Sequence, residues 1–208
     1  MKVLLINGSP HEKGCTYTAL AEVAGALEKE GIETEILQIG SGDVRGCMAC
    51  GGCSQTGRCV FGDEDRVNEA IEKMEQADGL VIGSPVHYAS PAGAMLSFLD
   101  RMFYAGSEAF AHKPGACVVS ARRAGTTASL DALTKYITIS QMPLVSSCYW
   151  NMVHGSNAEQ VAQDKEGLQV MRTLGANMAW LLRCIQTAKE HGVEPPAQEK
   201  RVFTNFIR

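Results

Sequence analysis

The sequence predicts an α/β protein with a doubly wound, five-stranded parallel sheet in three layers. Three observations lead there. Short, uninterrupted, β-branched apolar runs recur along the chain, as strands buried on both faces require. Stretches with helical spacing separate them, so strand and helix alternate and the crossovers should be right-handed. A chain of 208 residues with 45% apolar content is long enough to bury one substantial core.

The first run, residues 3–6, ends in Asn7-Gly8-Ser9-Pro10. From Thr16 the positions of Leu20, Val23, Ala24 and Leu27 repeat with helical spacing, and Gly31 marks a stop. Residues 33–39 alternate as a second strand. Residues 40–62 are rich in Gly and Cys, carry no period and read as a long ordered loop, a length that usually accompanies function. Helical spacing returns over residues 65–77, followed by a buried strand at 79–83 and a loop at 84–90. A helix over 92–103, a strand over 116–120, a loop over 121–126 and a helix over 129–139 continue the alternation. Residues 143–148 form the fifth predicted strand, and 158–191 read as one long helix weakened at Gly167 and Gly175. The whole chain, 1–208, reads as a single domain with a cysteine-rich loop at about 40–62 and a loose tail from about Val193.

Charge narrows the partners. The net charge is −4, and the 19 basic and 23 acidic residues are scattered, which leaves no basic stripe for nucleic acid and no polybasic patch for a membrane. Met1 leads directly into a strand, with no basic or apolar leader, so a cytoplasmic location is expected. The most apolar helical stretch, residues 175–185, is interrupted by Asn177 and Arg183 and is too short to span a bilayer. In that setting, eight cysteines suggest metal ligation or redox chemistry ahead of disulfides.

In a parallel sheet of this kind ligands bind at the carboxyl ends of the strands. That rule gathers the loops after Ile6, Ile82 and Val119 at one edge. The first loop offers hydroxyls at Ser9, Thr16 and Thr18 and free N–H groups at a helix N-terminus, which suit an anion. It lacks both Gly-x-Gly-x-x-Gly and Gly-Lys-Ser/Thr, which disfavours a dinucleotide turn and a nucleoside-triphosphate loop. A plain helix cap by Ser9 or Thr16 is the simpler reading.

Gly8-Ser-Pro, Gly14-Cys-Thr, Gly83-Ser-Pro-Val-His-Tyr88, Pro91-Ala-Gly93 and Phe98-Leu-Asp-Arg101 together resemble the flavodoxin-like NAD(P)H-dependent FMN reductases, over most of the chain. Two positions depart from that family: Cys15 stands where Asn is usual and His11 where Arg or Lys is frequent. The resemblance implies FMN, with Ser9, His11, Cys15, Thr16, Tyr17 and Thr18 around its phosphate. It also implies that Pro85, Val86, His87, Tyr88 and Ser90 lie along the flavin ring. Ala121, Arg122, Arg123 and Gly125 form the natural third wall, where an arginine could stabilise a reduced flavin or attract a nicotinamide phosphate; a solvated loop tip is the simpler account of the two arginines. No catalytic residue is assigned, since the flavin carries the chemistry; His87 and Tyr88 are the candidates nearest the ring, or could pack on a neighbouring subunit.

Cys47, Cys50, Cys53 and Cys59 place four soft ligands within one short stretch, with Gly46, Gly51, Gly52 and Gly57 giving the backbone freedom to wrap a centre. Such a set suits an iron-sulfur cluster or a tetrahedral zinc. Its spacing resembles the compact motif of the iron-sulfur flavoproteins, a branch of the same group carrying a 4Fe-4S cluster beside FMN. Flavin reductases without a cluster keep a similar loop, so free or packed thiols stay open. Cys15, Cys117, Cys148 and Cys184 read as ordinary buried residues, with Cys15 alone placed for a lowered pKa at a helix N-terminus.

The leading expectation is therefore an FMN-dependent oxidoreductase taking hydride from NAD(P)H and reducing a flavin, quinone, nitro or azo compound, or a metal centre. An iron-sulfur flavoprotein relaying electrons through a 4Fe-4S cluster and FMN is the alternative, followed by a non-catalytic flavin-binding redox sensor and a zinc-stapled structural protein. A homodimer or homotetramer is expected by resemblance, with Tyr149 and Trp150 covering a partner's flavin or anchoring an interface.

Overall fold

The computed structural model describes residues 1–62, 64–199 and 201–207. Its elements run β1 (Lys2–Asn7), α1 (Cys15–Lys29), β2 (Glu33–Gln38), α2 (Cys53–Thr56), α3 (Val67–Gln76), β3 (Gly79–His87), β4 (Ser90–Pro91) and α4 (Gly93–Phe110), then β5 (Gly115–Ala121), α5 (Thr126–Ile139), β6 (Met152–His154), α6 (Ala158–Val161) and α7 (Lys165–Glu190). The strands β2-β1-β3-β5-β6 pair in parallel in that order, and β4 folds back antiparallel on the end of β3. Chain order reverses beside β1, the switch point where such sheets open a crevice.

The central strands β1, β3 and β5 are buried on both faces over most of their length, and their side chains divide by alternation. Leu4, Ile6, Leu80 and Ile82 join Phe98, Phe103 and Ile71 in the core under α3, α4 and α5. Val3, Leu5, Val81 and Val118 join Leu20, Leu27, Met171 and Leu174 under α1 and α7. Each of these side chains contributes about 1.5–3 kcal/mol by leaving water. Two cores on one sheet fix the strands from both sides.

Several predicted spans differ from the structure, among them the helix over 92–103, which runs on to Phe110 as α4. Residues 143–148 are not a strand: they touch the sheet through a single bridge from Leu144 to Gly115, and the ladder resumes at β6, where Met152–His154 pair with Val119–Ala121. Between them the chain leaves the sheet because α7 supplies other partners: Asn177 Nδ2 donates to Ser146 O (2.9 Å), and Ser147 Oγ donates to Val170 O (2.6 Å). The long helix over 158–191 is two helices. Asp164 breaks it, accepting from Gly167 N (2.9 Å) as the α7 cap and from His154 N (2.7 Å) at the sheet. Gly167 and Gly175 do not weaken α7; each permits an approach. A Cβ at Gly167 would meet Asp164 Oδ2 at 2.4 Å, and one at Gly175 would meet Ala26 Cβ at 2.6 Å on α1. Finally, β3 runs on to His87, so Pro85, Val86 and His87 belong to a strand, and only Tyr88 and Ala89 turn.

Candidate functional site

Register brings the three expected loops together. Asn7 pairs with Gly83, and Pro85 pairs with Ser120, so β1, β3 and β5 end at one rim. Two hydrogen bonds tie them, Gly8 N to Gly83 O (2.8 Å) and Thr16 Oγ1 with Ser120 Oγ (2.8 Å), and the start of α5 approaches β3 so closely that a Cβ on Gly125 would meet Val86 Cγ1 at 2.8 Å. Gly125 has φ +92°, which glycine adopts without strain. Gly8 is as confined, since a Cβ there would meet Met95 Sδ at 2.7 Å and Gly83 O at 3.0 Å.

The first loop is shaped by side chains beneath it. Ser9 N donates to Asn7 Oδ1 (3.1 Å), His11 N to Ser9 Oγ (3.1 Å), and Gln38 Nε2 to Ser9 O (2.6 Å). Asn7 Nδ2 also holds Glu12 O (3.2 Å). Ser9 Oγ is thus engaged in shaping the turn and does not cap α1. That helix starts at Gly14 with no side-chain cap, and its first backbone bond is Thr18 N to Gly14 O (3.0 Å). The N–H groups of Cys15, Thr16 and Tyr17 are left for an outside acceptor, with the positive end of the helix dipole behind them. The N-terminus of α5, after Gly125, likewise has no side-chain cap. Two uncapped helix starts and a glycine-narrowed rim fit a phosphorylated, flat ligand.

The predicted residues fall at this rim in different states of exposure. Ser9, Thr16 and Ala121 are buried; Cys15, Tyr17, Thr18, Pro85, Val86 and Gly125 are half-buried; His11, His87, Tyr88, Ser90, Arg122 and Arg123 are exposed. Tyr88 is fully exposed at φ +58°, on the turn between β3 and β4. Cys15 departs from expectation. Burial pushes its thiol above the ordinary range, with its Sγ against Gly155 O (3.6 Å), so desolvation outweighs the helix terminus. Cys148 and Cys184 are exposed, and of the four cysteines outside the cluster only Cys117 is fully buried.

Cys47, Cys50, Cys53 and Cys59 line one small hollow of about 30 Å³, closed by Val60, Phe61, Arg101 and Tyr104. All four are free thiols. The loop is not wholly irregular, since α2 makes one helical turn from Cys53 and stops at Gly57, whose φ is +66°. Gly51 is also left-handed, at φ +72°, and a Cβ on Gly52 would meet Val60 Cγ1 at 2.5 Å, so these glycines are steric requirements. Among the described residues no three His, Cys, Asp or Glu side chains gather tightly enough for one metal ion. The thiols ring the hollow and do not meet at a point.

Residues that the sequence did not single out for the site hold this loop. Asn68, on α3, accepts from Cys59 N (2.8 Å) and donates to Cys59 O and Gly62 O (3.0 Å each). Arg58 makes a bidentate pair with Glu75 (2.7 Å each). Arg101, on α4 and 2% exposed, donates from Nε to Cys59 Sγ (3.1 Å) and from Nη1 to Arg45 O (3.3 Å), and it is ion-paired with Asp65. Its Nη2 is buried with no partner among the described residues. Four thiols beside a buried cation with a spare donor fit an anionic thiolate centre. Asn68 left no signal in sequence. Arg101 sits within Phe98-Leu-Asp-Arg101, but nothing there marks it as buried.

The sequence pattern of the NADPH-dependent FMN reductase family matches residues 1–157. An iron-sulfur flavoprotein of Methanocaldococcus jannaschii is 29% identical over 194 residues, covering 89% of this chain and 100% of that protein. One of Methanosarcina thermophila is 28% identical over 196 residues, covering 91% and 100%. Among solved structures, an archaeal flavodoxin superposes with a TM-score of 0.60 at 15% identity, covering 88% of this chain and 99% of that one, so the fold is flavodoxin-like. No helix among the described residues is long and apolar enough to cross a membrane. With three-quarters of its length inside the family pattern and relatives matched end to end, this chain belongs to the NADPH-dependent FMN reductase family of FMN-binding oxidoreductases and is related to its iron-sulfur flavoproteins.

Proposed function

We propose that this chain binds FMN at the three-loop rim and a 4Fe-4S cluster at the four-cysteine hollow, draws reducing equivalents from NAD(P)H and delivers them to a second acceptor. When bound, the flavin would supply a two-electron ring and the cluster a one-electron store, a pairing suited to converting hydride into single electrons. The observation that carries this reading is the presence, in one chain, of the tied rim and of four free thiols ringing a hollow beside a buried cation.

The chain's own residues bind and orient. The N–H groups of Cys15, Thr16 and Tyr17 take the phosphate, and the hydroxyl of Thr18, which donates to Gly14 O (3.1 Å), keeps the turn from opening. Pro85, Val86 and Gly125 set the width of the slot for the ring, while the backbone N–H groups at the start of α5 lie at its rim. His87, Tyr88 and Ser90 leave one face open to a nicotinamide, and Arg122 and Arg123 are exposed where its phosphates would approach. Cys47, Cys50, Cys53 and Cys59 provide the four thiolates. The assembly we expect is a homodimer or homotetramer, since Tyr149, Trp150 and Trp180 are all more than half exposed.

Anaerobic purification followed by flavin, iron and acid-labile sulfide analysis tests the reading, together with NADH and NADPH oxidation. Roughly one FMN and roughly four irons per chain are expected. Flavin without iron would leave an FMN reductase of the cluster-free kind, and zinc without flavin would leave a structural protein.

A further inference from the structure

We infer that Arg101 is a positioning residue that sets the reduction potential of the four-cysteine centre, with Asp65 as its counterweight; the inference rests on the cluster reading above. Three observations carry it. Arg101 lines the hollow and donates Nε–H to Cys59 Sγ at 3.1 Å, so its charge acts on a ligand sulfur directly. It is 2% exposed, which removes the water that would screen it. Its Nη2 and Asp65 Oδ1 are both buried without a partner among the described residues, although the two side chains are ion-paired through their other atoms.

A pair evolved only to hold a loop would be better served by apolar side chains, because a buried ion pair seldom stabilises more than they do. A pair beside thiolates has a different use. Each electron taken up by a thiolate-bound cluster adds one negative charge and strengthens the hydrogen bonds accepted by its sulfurs. Arg101 therefore favours the reduced state, and Asp65 opposes it. The remaining neighbours add to it: the guanidinium lies 4.8 Å from the Phe61 ring centre and Arg45 lies 4.9 Å from it, so the electron-rich face of one ring holds two positive charges near the hollow.

The test is a potentiometric titration of the anaerobically purified full chain, with the cluster signal followed by electron paramagnetic resonance at a poised electrode. Arg101→Gln is expected to lower the equilibrium constant for one-electron reduction about tenfold, which is about 59 mV. Arg101→Lys keeps the charge, loses the planar donor and should shift less, in the same direction. Asp65→Asn should shift the opposite way, and Arg101→Gln with Asp65→Asn should return near the parent. Opposite signs are the signature that a purely structural role would not produce. If Arg101→Gln does not fold, Arg101→Lys against Asp65→Asn carries the same test. Iron-loaded variants that all titrate within about twofold of the parent, or that shift in one direction, overturn the inference and leave the cluster reading standing. A parent chain that takes up no iron and sulfide overturns the cluster reading, and this inference with it.

Discussion

The rim and the cysteine loop both turn on tight glycines, yet they are held in opposite ways. The rim hangs from strands: Asn7, Pro85 and Ser120 are fixed by sheet register, and the starts of α1 and α5 beside it have no side-chain cap. Among its described residues the cysteine loop has one helical turn and no strand. Side chains from α3 and α4 hold it, namely Asn68, the Arg58–Glu75 pair and the Arg101–Asp65 pair. A rim held by backbone register tolerates changed side chains, at Cys15 and His11 among others. A loop built from side chains has no such reserve.

The largest expected effect should fall on the loop. Asp65→Ala strips a buried cation of its partner and is expected to cost about 3–5 kcal/mol in urea unfolding, while FMN affinity stays within about twofold because no rim residue is touched. Loss of FMN affinity in that variant would break the contrast. Asn68→Ala removes three hydrogen bonds from Cys59 and Gly62 and should cost about 1–3 kcal/mol, with faster amide exchange confined to residues 57–62.

At the rim the sensitive positions should be glycines. Gly125→Ala places a Cβ at φ +92° and against Val86 and the Ala89 backbone. About 1–2 kcal/mol of lost stability is expected from the left-handed conformation alone, and FMN affinity should fall with iron content unchanged. Cys15 should show the smallest effect. Burial raises its thiol pKa, so the folded chain keeps a proton that the unfolded chain releases. The resulting stabilisation is present at neutral pH and fades as pH rises above the ordinary thiol range. Alkylation followed by mass spectrometry should find Cys15 slow at pH 7–8 and faster only in alkali.

These contrasts also mark what could be read from sequence. Strands such as residues 3–6 and 79–83 announce themselves because burial on both faces demands uninterrupted apolar runs, and the rim follows from topology. Residues 143–148 have the same look, but past the bridge at Gly115 the partner of Ser146 O is Asn177 on α7, far along the chain, which no local pattern records. Asp164 likewise cuts a helix by serving two backbone N–H groups, one of them on β6. The thiol spacing is visible; its clamps are not. A guanidinium on an amphipathic helix ordinarily faces water, and only the fold turns Arg101 inward.

Gly175 sits far from either centre, yet α7 rests there against α1 so closely that a methyl group would meet Ala26 Cβ and Val23 O. Val23 lies eight residues from Cys15, about 12 Å along the same rigid rod. A bulkier residue at 175 would therefore act as a wedge under one end of a lever, and its far end is the uncapped start of α1 at the rim.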